Sequence, residues 1–309
     1  MTAPVRAAPP TTPAASRWSP LELLPAVVVL ALGGLLLSRG YGLWYDELYT
    51  AEVVRHPLGD ILTAVAEGTG TSGYLAGIPP SYNAPYYVVV HLLTALPGVG
   101  SDLSLRLVSL LATAGGLALT TRAVARLAGT GAGVLAGTVV ALSPLLVEQA
   151  VEARSYGLAV LATGGAVLGL VRWLQGAPRG LLLFGIAGTA MGLMHWYAAT
   201  VLAAFVVAAL LLRGRAAVPV AGTGVLAVLP TAALVGLNLL TGNGDSNARH
   251  VLGTGGELPR LALEVWAGGL VPLAVLLVVL GAAGAARARG ARVVAACWAL
   301  VPLALLTLG

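Results

Sequence analysis

LELLPAVVVLALGGLLLS (residues 21–38) is followed, across a short Arg39-Gly40 junction, by WYDELY (44–49). The first string reads as one apolar crossing of a bilayer, whose hydrocarbon core of about 30 Å takes roughly 20 helical residues. The second places two adjacent carboxylates, Asp46 and Glu47, just beyond that crossing. Charges at such a depth are costly unless water, a metal or a substrate meets them.

The rest of the chain repeats this apolar character. Of its 309 residues, 58% are hydrophobic and 9% charged, against about 25% charged in soluble domains. The composition predicts an all-α, polytopic transmembrane protein. The net charge of +5 resides entirely in arginine. In a membrane chain that bias marks cytoplasmic loops rather than nucleic-acid binding. The single cysteine, Cys297, excludes a disulfide framework and a cysteine metal site. Residues 1–20, rich in Pro, Ala and Thr, read as a disordered cytoplasmic tail, and residues 21–309 as one transmembrane domain. The run 21–38 is long for a signal-peptide core and lacks a small-x-small cleavage site, so it reads as a retained helix.

Arginine orders the crossings. It clusters at Arg6 and Arg17, Arg122 and Arg126, Arg172 and Arg179, Arg213 and Arg215, and Arg287, Arg289 and Arg292. If these clusters are cytoplasmic, an even number of spans separates each from the next. Arg39, Arg55 and Arg249 then fall outside, so the rule acts as a bias. The spans are 21–38, 104–121, 131–147, 156–170, 181–194, 198–212, 218–240, 263–283 and 293–309, about nine in all. Residues 41–103 form a long first external loop. Within it, 86–96 is an apolar stretch between Pro85 and Pro97. As a helix it is about 17 Å long, too short to cross, and reads as a surface helix. The chain ends in apolar sequence, which reads as truncation at the C-terminus.

On this topology the outer face collects the polar groups. Asp46 and Glu47 admit two readings, a solvated helix end with ordinary interfacial aromatics, or a general base that accepts a proton from an attacking hydroxyl. If a divalent metal is used, these two carboxylates are its ligands; no other cofactor is indicated. Residues 148–156, Glu-Gln-Ala-Val-Glu-Ala-Arg-Ser-Tyr, fall between two spans. On a regular helix Gln149, Glu152 and Tyr156 share one face, while Arg154 points elsewhere, which allows a break near Ala153. The planar donor fork of Arg154 suits a phosphate; the duller reading is a Glu–Arg pair steadying a helix turn. Asn83 and Tyr87 belong to a rigid aromatic segment able to shape a sugar pocket or to serve as a mere turn. His195, with Trp196 and Tyr197 at a span end, is interfacial or substrate-binding. The four histidines show no metal-ligand spacing.

In order along the chain these elements form a pattern. An outward first span leads to Trp44-Tyr45-Asp46-Glu47, then to Asn83-Ala84-Pro85-Tyr86-Tyr87 with His91-Leu92. Next come Ser101-Asp102-Leu103-Ser104-Leu105-Arg106, Ala141-Leu142-Ser143-Pro144-Leu145, and Gln149 with Glu152-Ala153-Arg154-Ser155-Tyr156. Over about residues 21–212 this resembles the bacterial membrane glycosyltransferases of the GT-C fold, the family-39-like group related to protein O-mannosyltransferases and aminoarabinose transferases. The resemblance implies a hexosyl- or mannosyltransferase using a polyprenyl-phosphate sugar donor on the extracytoplasmic face of a bacterial cell membrane. It implies Asp46 as catalytic base, and Arg154 and Tyr156 as lining the donor site. Many members carry His-Pro-Pro where this chain has Asn83-Ala84-Pro85. The acceptor is a protein, glycan or lipid hydroxyl, and the N-terminus is cytoplasmic. A transporter of lipid-linked sugars, or a non-catalytic membrane subunit, would use the same outer-face groups without bond formation.

Overall fold

The computed structural model describes residues 18–40, 42–71, 84–96, 101–241 and 288–308. Among these, all regular structure is helical. A 3-10 turn, Pro20–Leu23, leads into α1 (Leu24–Leu37). Three short helices follow, α2 (Tyr45–Arg55), α3 (Leu58–Glu67) and α4 (Ala84–Thr94). Then come α5 (Asp102–Ala128), α6 (Thr130–Ala141), α7 (Pro144–Ala150) and α8 (Tyr156–Leu174). The described chain closes with α9 (Arg179–Met194), α10 (Ala198–Arg213), α11 (Val218–Leu240) and α12 (Arg289–Leu308).

Four helical stretches are long and apolar enough to cross a membrane, namely Pro20–Leu37, Asp102–Ala128, Tyr156–Leu174 and Ala198–Leu240. A fifth is the pair α6 and α7 if counted as one span. The expected straight span 131–147 is instead bent by 72° between these two helices. The cause is local: Pro144 cannot donate to the preceding turn, so the ladder stops at Leu142-Ser143 and a new helix starts. The helix expected within 86–96 is present as α4 and is too short to cross. The expected span 263–283 lies outside the described residues.

Helix direction follows from where small residues let backbones touch. A Cβ at Gly157 would fall 2.3 Å from the Ser109 carbonyl oxygen, and one at Gly164 2.3 Å from that of Gly116. Both contacts advance together by seven residues, so α5 and α8 run parallel. Gly169 meets Phe184 while Gly180 meets Trp173, so α9 runs back along α8. Gly185 meets Thr223 and Gly192 meets Thr231, which makes α11 parallel to α9. Val206 lies against Gly224 and Leu202 against Gly188, so α10 is antiparallel to both. The 43-residue stretch Ala198–Leu240 therefore folds back on itself at Gly214, whose φ of +55° suits glycine. Small-residue contacts of this kind are how apolar helices associate closely.

Alternation of this kind segregates charge. One end of the bundle carries Arg122, Arg126, Arg172, Arg179, Arg213, Arg215, Arg289 and Arg292, with Glu22 as its only acid among the described residues. The opposite end carries Asp46, Glu47, Glu52, Asp60, Glu67, Asp102, Glu148 and Glu152 against Arg39, Arg55, Arg106 and Arg154. Helices α2 to α4 cap this second end, where Tyr49, Val53, Ile61, Tyr86, Tyr87 and Val90 share a buried cluster with Leu105, Ala153 and Met194.

Candidate functional site

Because α5 and α8 run parallel and α9 returns, the start of α5, the α7–α8 turn and the end of α9 meet at the acidic end. Most of the polar groups singled out in the sequence are there.

Glu47 is fully buried. Its Oε1 accepts from Arg106 Nε at 2.8 Å and from the Ala153 backbone N–H at 2.8 Å. Its Oε2 accepts from Arg106 Nη2 at 2.5 Å and from the Trp44 N–H at 3.2 Å. The last bond is half of a capping box, in which an acidic third residue reaches back to the helix start. Arg106 also donates to the Gly42 carbonyl at 2.9 Å. One carboxylate thus joins α2, α5 and the α7–α8 turn. Burial pushes its pKa up, but Arg106 and the two backbone donors more than offset this and hold it below the usual carboxylate value. With both oxygens occupied, Glu47 does not complete a metal site with Asp46. Among the described residues no three His, Cys, Asp or Glu side chains converge as metal ligands.

Asp46, one residue away, turns outward and is 34% exposed. Arg154 Nη2 stands 3.4 Å from its Oδ2, and Arg154 Nη1 donates to its backbone oxygen at 3.5 Å. Arg154 is 13% exposed, and its Nε is buried without a hydrogen-bond partner. A guanidinium with an unused donor inside the protein retains capacity for an anionic ligand. Burial disfavours its charge, yet Tyr87, Asp46 and Tyr156 around it raise its pKa, and Tyr156 is a hydrogen-bond partner.

The α7–α8 turn holds the break near Ala153 that the sequence allows. Helix α7 stops at Ala150 and α8 starts at Tyr156, so Gln149, Glu152 and Tyr156 do not share a regular helix face. The break turns Ala153 N–H to Glu47 and Arg154 to Asp46. Gln149 Nε2 still lies 3.5 Å from Glu152 Oε1. Burial raises the Glu152 pKa to about 6, with Glu47, Asp46 and Glu148 adding to the rise and Arg154 opposing it. His195 ends α9, with ring centroids 5.7 Å from Tyr156 and 5.8 Å from Tyr197. Burial, and then the charge of Arg154, lower its pKa from 6.5 and so favour the neutral imidazole. Tyr87 is buried in α4, 5.7 Å from the Tyr49 ring and 5.5 Å from Tyr86. Asn83 lies outside the described residues.

Arg106 was not singled out by sequence reasoning, which treated it only as part of a longer pattern. Its one sequence signal is being a lone arginine in the first turns of a crossing at the acidic end. His91 has Nδ1 3.0 Å from the Val54 carbonyl oxygen and ties α4 to α2. The chain matches no protein-family model, no curated protein and no solved structure with which it was compared.

Proposed function

We propose that this chain is a membrane glycosyltransferase of GT-C architecture, with about nine spans. It would move a sugar from a polyprenyl-phosphate donor to a hydroxyl of a protein, glycan or lipid acceptor. The observation that carries the reading is the pairing of a one-third-exposed carboxylate, Asp46, with a nearly buried arginine that keeps a free donor, Arg154. The resemblance of the surrounding residues supports the same chemistry. The reaction is a single inverting displacement. The acceptor oxygen forms a bond to the anomeric carbon while the bond from that carbon to the phosphate oxygen breaks. Asp46 takes the acceptor proton. The departing polyprenyl phosphate keeps the electron pair, and Arg154 stabilises its charge. Gln149 and Glu152 face the sugar as hydrogen-bonding groups, and Tyr156, His195 and Tyr197 offer ring surfaces beside it. Glu47 acts at one remove, by fixing the helix that carries Asp46.

Segregation of the arginines supports an orientation in a bacterial cell membrane with the arginine end and N-terminus cytoplasmic and the site extracytoplasmic. The test is transfer of label from a panel of radiolabelled polyprenyl-phosphate sugars in membranes containing this chain. Transfer with the wild type, lost in Asp46→Asn at equal protein level, is the expected result. Near-normal transfer by Asp46→Asn removes Asp46 from the mechanism, and no transfer from any donor by folded wild type overturns the enzyme reading.

A further inference from the structure

At the opposite end of the bundle a second polar site is built from α5 and α8. Arg126 Nε donates to Gln175 Oε1 at 2.7 Å, and Gln175 Nε2 donates back to the Arg126 carbonyl at 3.0 Å. This reciprocal pair fixes the Arg126 side chain through Nε alone. Its two terminal nitrogens make no hydrogen bond among the described residues. Arg172, half-buried in the last turn of α8, has no hydrogen bond or ion pair among them at all. The charges acting on Arg126 are Arg122, Arg172 and Glu22. Glu22 is already engaged, since both of its oxygens accept from Arg122 Nη1, at 2.7 and 2.9 Å. Arg126 and Arg172 are therefore two neighbouring cations with no remaining counter-charge among the described residues.

We propose that Arg126 and Arg172 together hold the phosphate of an anionic phospholipid headgroup. Arginine presents paired donors that match phosphate oxygens, and a fork already fixed in place loses little freedom on binding. Depth favours a lipid as the source. Arg126 lies two residues before the end of α5, and Arg172 two before the end of α8. If these helices cross a bilayer, their ends lie at headgroup level, where basic pockets between spans collect anionic lipids. Trp18, half-exposed with its ring centroid 5.3 Å from the Arg122 guanidinium carbon, stands at the same end, as interfacial aromatics do. This inference is independent of glycosyl transfer.

The full chain, purified into nanodiscs of phosphatidylcholine alone or of phosphatidylcholine with phosphatidylglycerol, allows the test. Melting temperature and lipid retained in native mass spectrometry are read for wild type, Arg172→Gln and Arg126→Gln/Arg172→Gln. Phosphatidylglycerol is expected to be retained selectively and to raise the melting temperature. Arg172→Gln is expected to weaken retention about tenfold, the loss of one charge-assisted contact. Its melting in phosphatidylcholine stays unchanged, because Arg172 has no partner among the described residues; this keeps the test valid if the double variant folds poorly. Equal retention by Arg172→Gln, or equal retention of phosphatidylcholine, overturns the proposal. Inorganic phosphate at millimolar concentration in phosphatidylcholine discs is expected to leave the melting temperature unmoved. Reproducing the lipid's shift would mean the site reads free phosphate, and the lipid assignment fails.

Discussion

Asp46 and Glu47 are consecutive residues of α2 whose side chains end in opposite surroundings. Glu47 is wholly buried with four donors on its two oxygens, while Asp46 is a third exposed and its carboxylate faces Arg154. A helix turns about 100° per residue, so one of two neighbours at this end faces the bundle and the other the mouth. Their substitutions should therefore fail differently. Asp46→Asn should express and melt like wild type but lose sugar transfer. Glu47→Gln leaves Arg106 without its charge partner and should cost about 3–5 kcal/mol, seen as lost folded yield and a lower melting temperature. Equal stability of the two variants would contradict the division of roles.

Arg154→Lys separates charge from geometry. Lysine keeps the positive charge but cannot reach Asp46 and a leaving phosphate at once with a planar fork. The expected loss is about 10²–10³ in kcat with normal membrane insertion. Activity close to wild type would show that a point charge suffices.

Glu152 should leave a mark on stability against pH. Its pKa rises from 4.5 to about 6 on folding. Between those values the folded state binds more protons than the unfolded one, so stability falls as pH rises from about 4.5 to about 6. Glu47 acts in the opposite sense. Its lowered pKa contributes stability above 4.5 that is lost as pH falls through the folded value. Melting curves of Glu152→Gln should lack the decline between about 4.5 and about 6 and keep the loss at lower pH. A decline of unchanged size in the variant would assign it to another group.

The Glu22–Arg122 pair tests how buried charge is tolerated here. Both residues are nearly inaccessible. Arg122→Met alone should cost about 3–5 kcal/mol by stranding Glu22, whereas Arg122→Met with Glu22→Leu should be close to neutral. Thermal melting of the three proteins decides it.

The α5–α8 crossing can be probed at Gly116. A Cβ there would stand 2.4 Å from the Val160 carbonyl oxygen. Gly116→Val should force the helices apart and cost about 1–3 kcal/mol or more. Full activity and melting in that variant would mean that the backbones yield elsewhere.

Helix positions were legible because apolar runs bounded by arginine, glycine and proline leave little choice of register. The helices found near 24–37, 156–174, 198–213 and 218–240 fall where the runs do. The bend between α6 and α7 was not read, although Pro144 announced it, because composition alone continues smoothly across it. Asp46 and Arg154 were visible as polar residues with no apolar excuse. Which carboxylate would be buried was not visible, since that depends on Arg106, 59 residues from Glu47. Glu22 was absorbed into an apolar run, and its match with Arg122, 100 residues away, has no local signal. Pairing across the bundle is a property of packing, and only the packed chain displays it.

The Ala153 N–H bond to Glu47 ties the backbone beside Arg154 to the helix carrying Asp46. Asp46 and Arg154, the base and phosphate-binding group of the proposed reaction, are consequently held to one another through the fold and not through a free loop. If the proposed lipid donor enters there, opening the mouth would fall to whatever covers it, with Asp46 and Arg154 staying in register. Damage far down the α5–α8 seam would then reach the mouth as a misalignment of angstroms, visible in turnover before it is visible in folding.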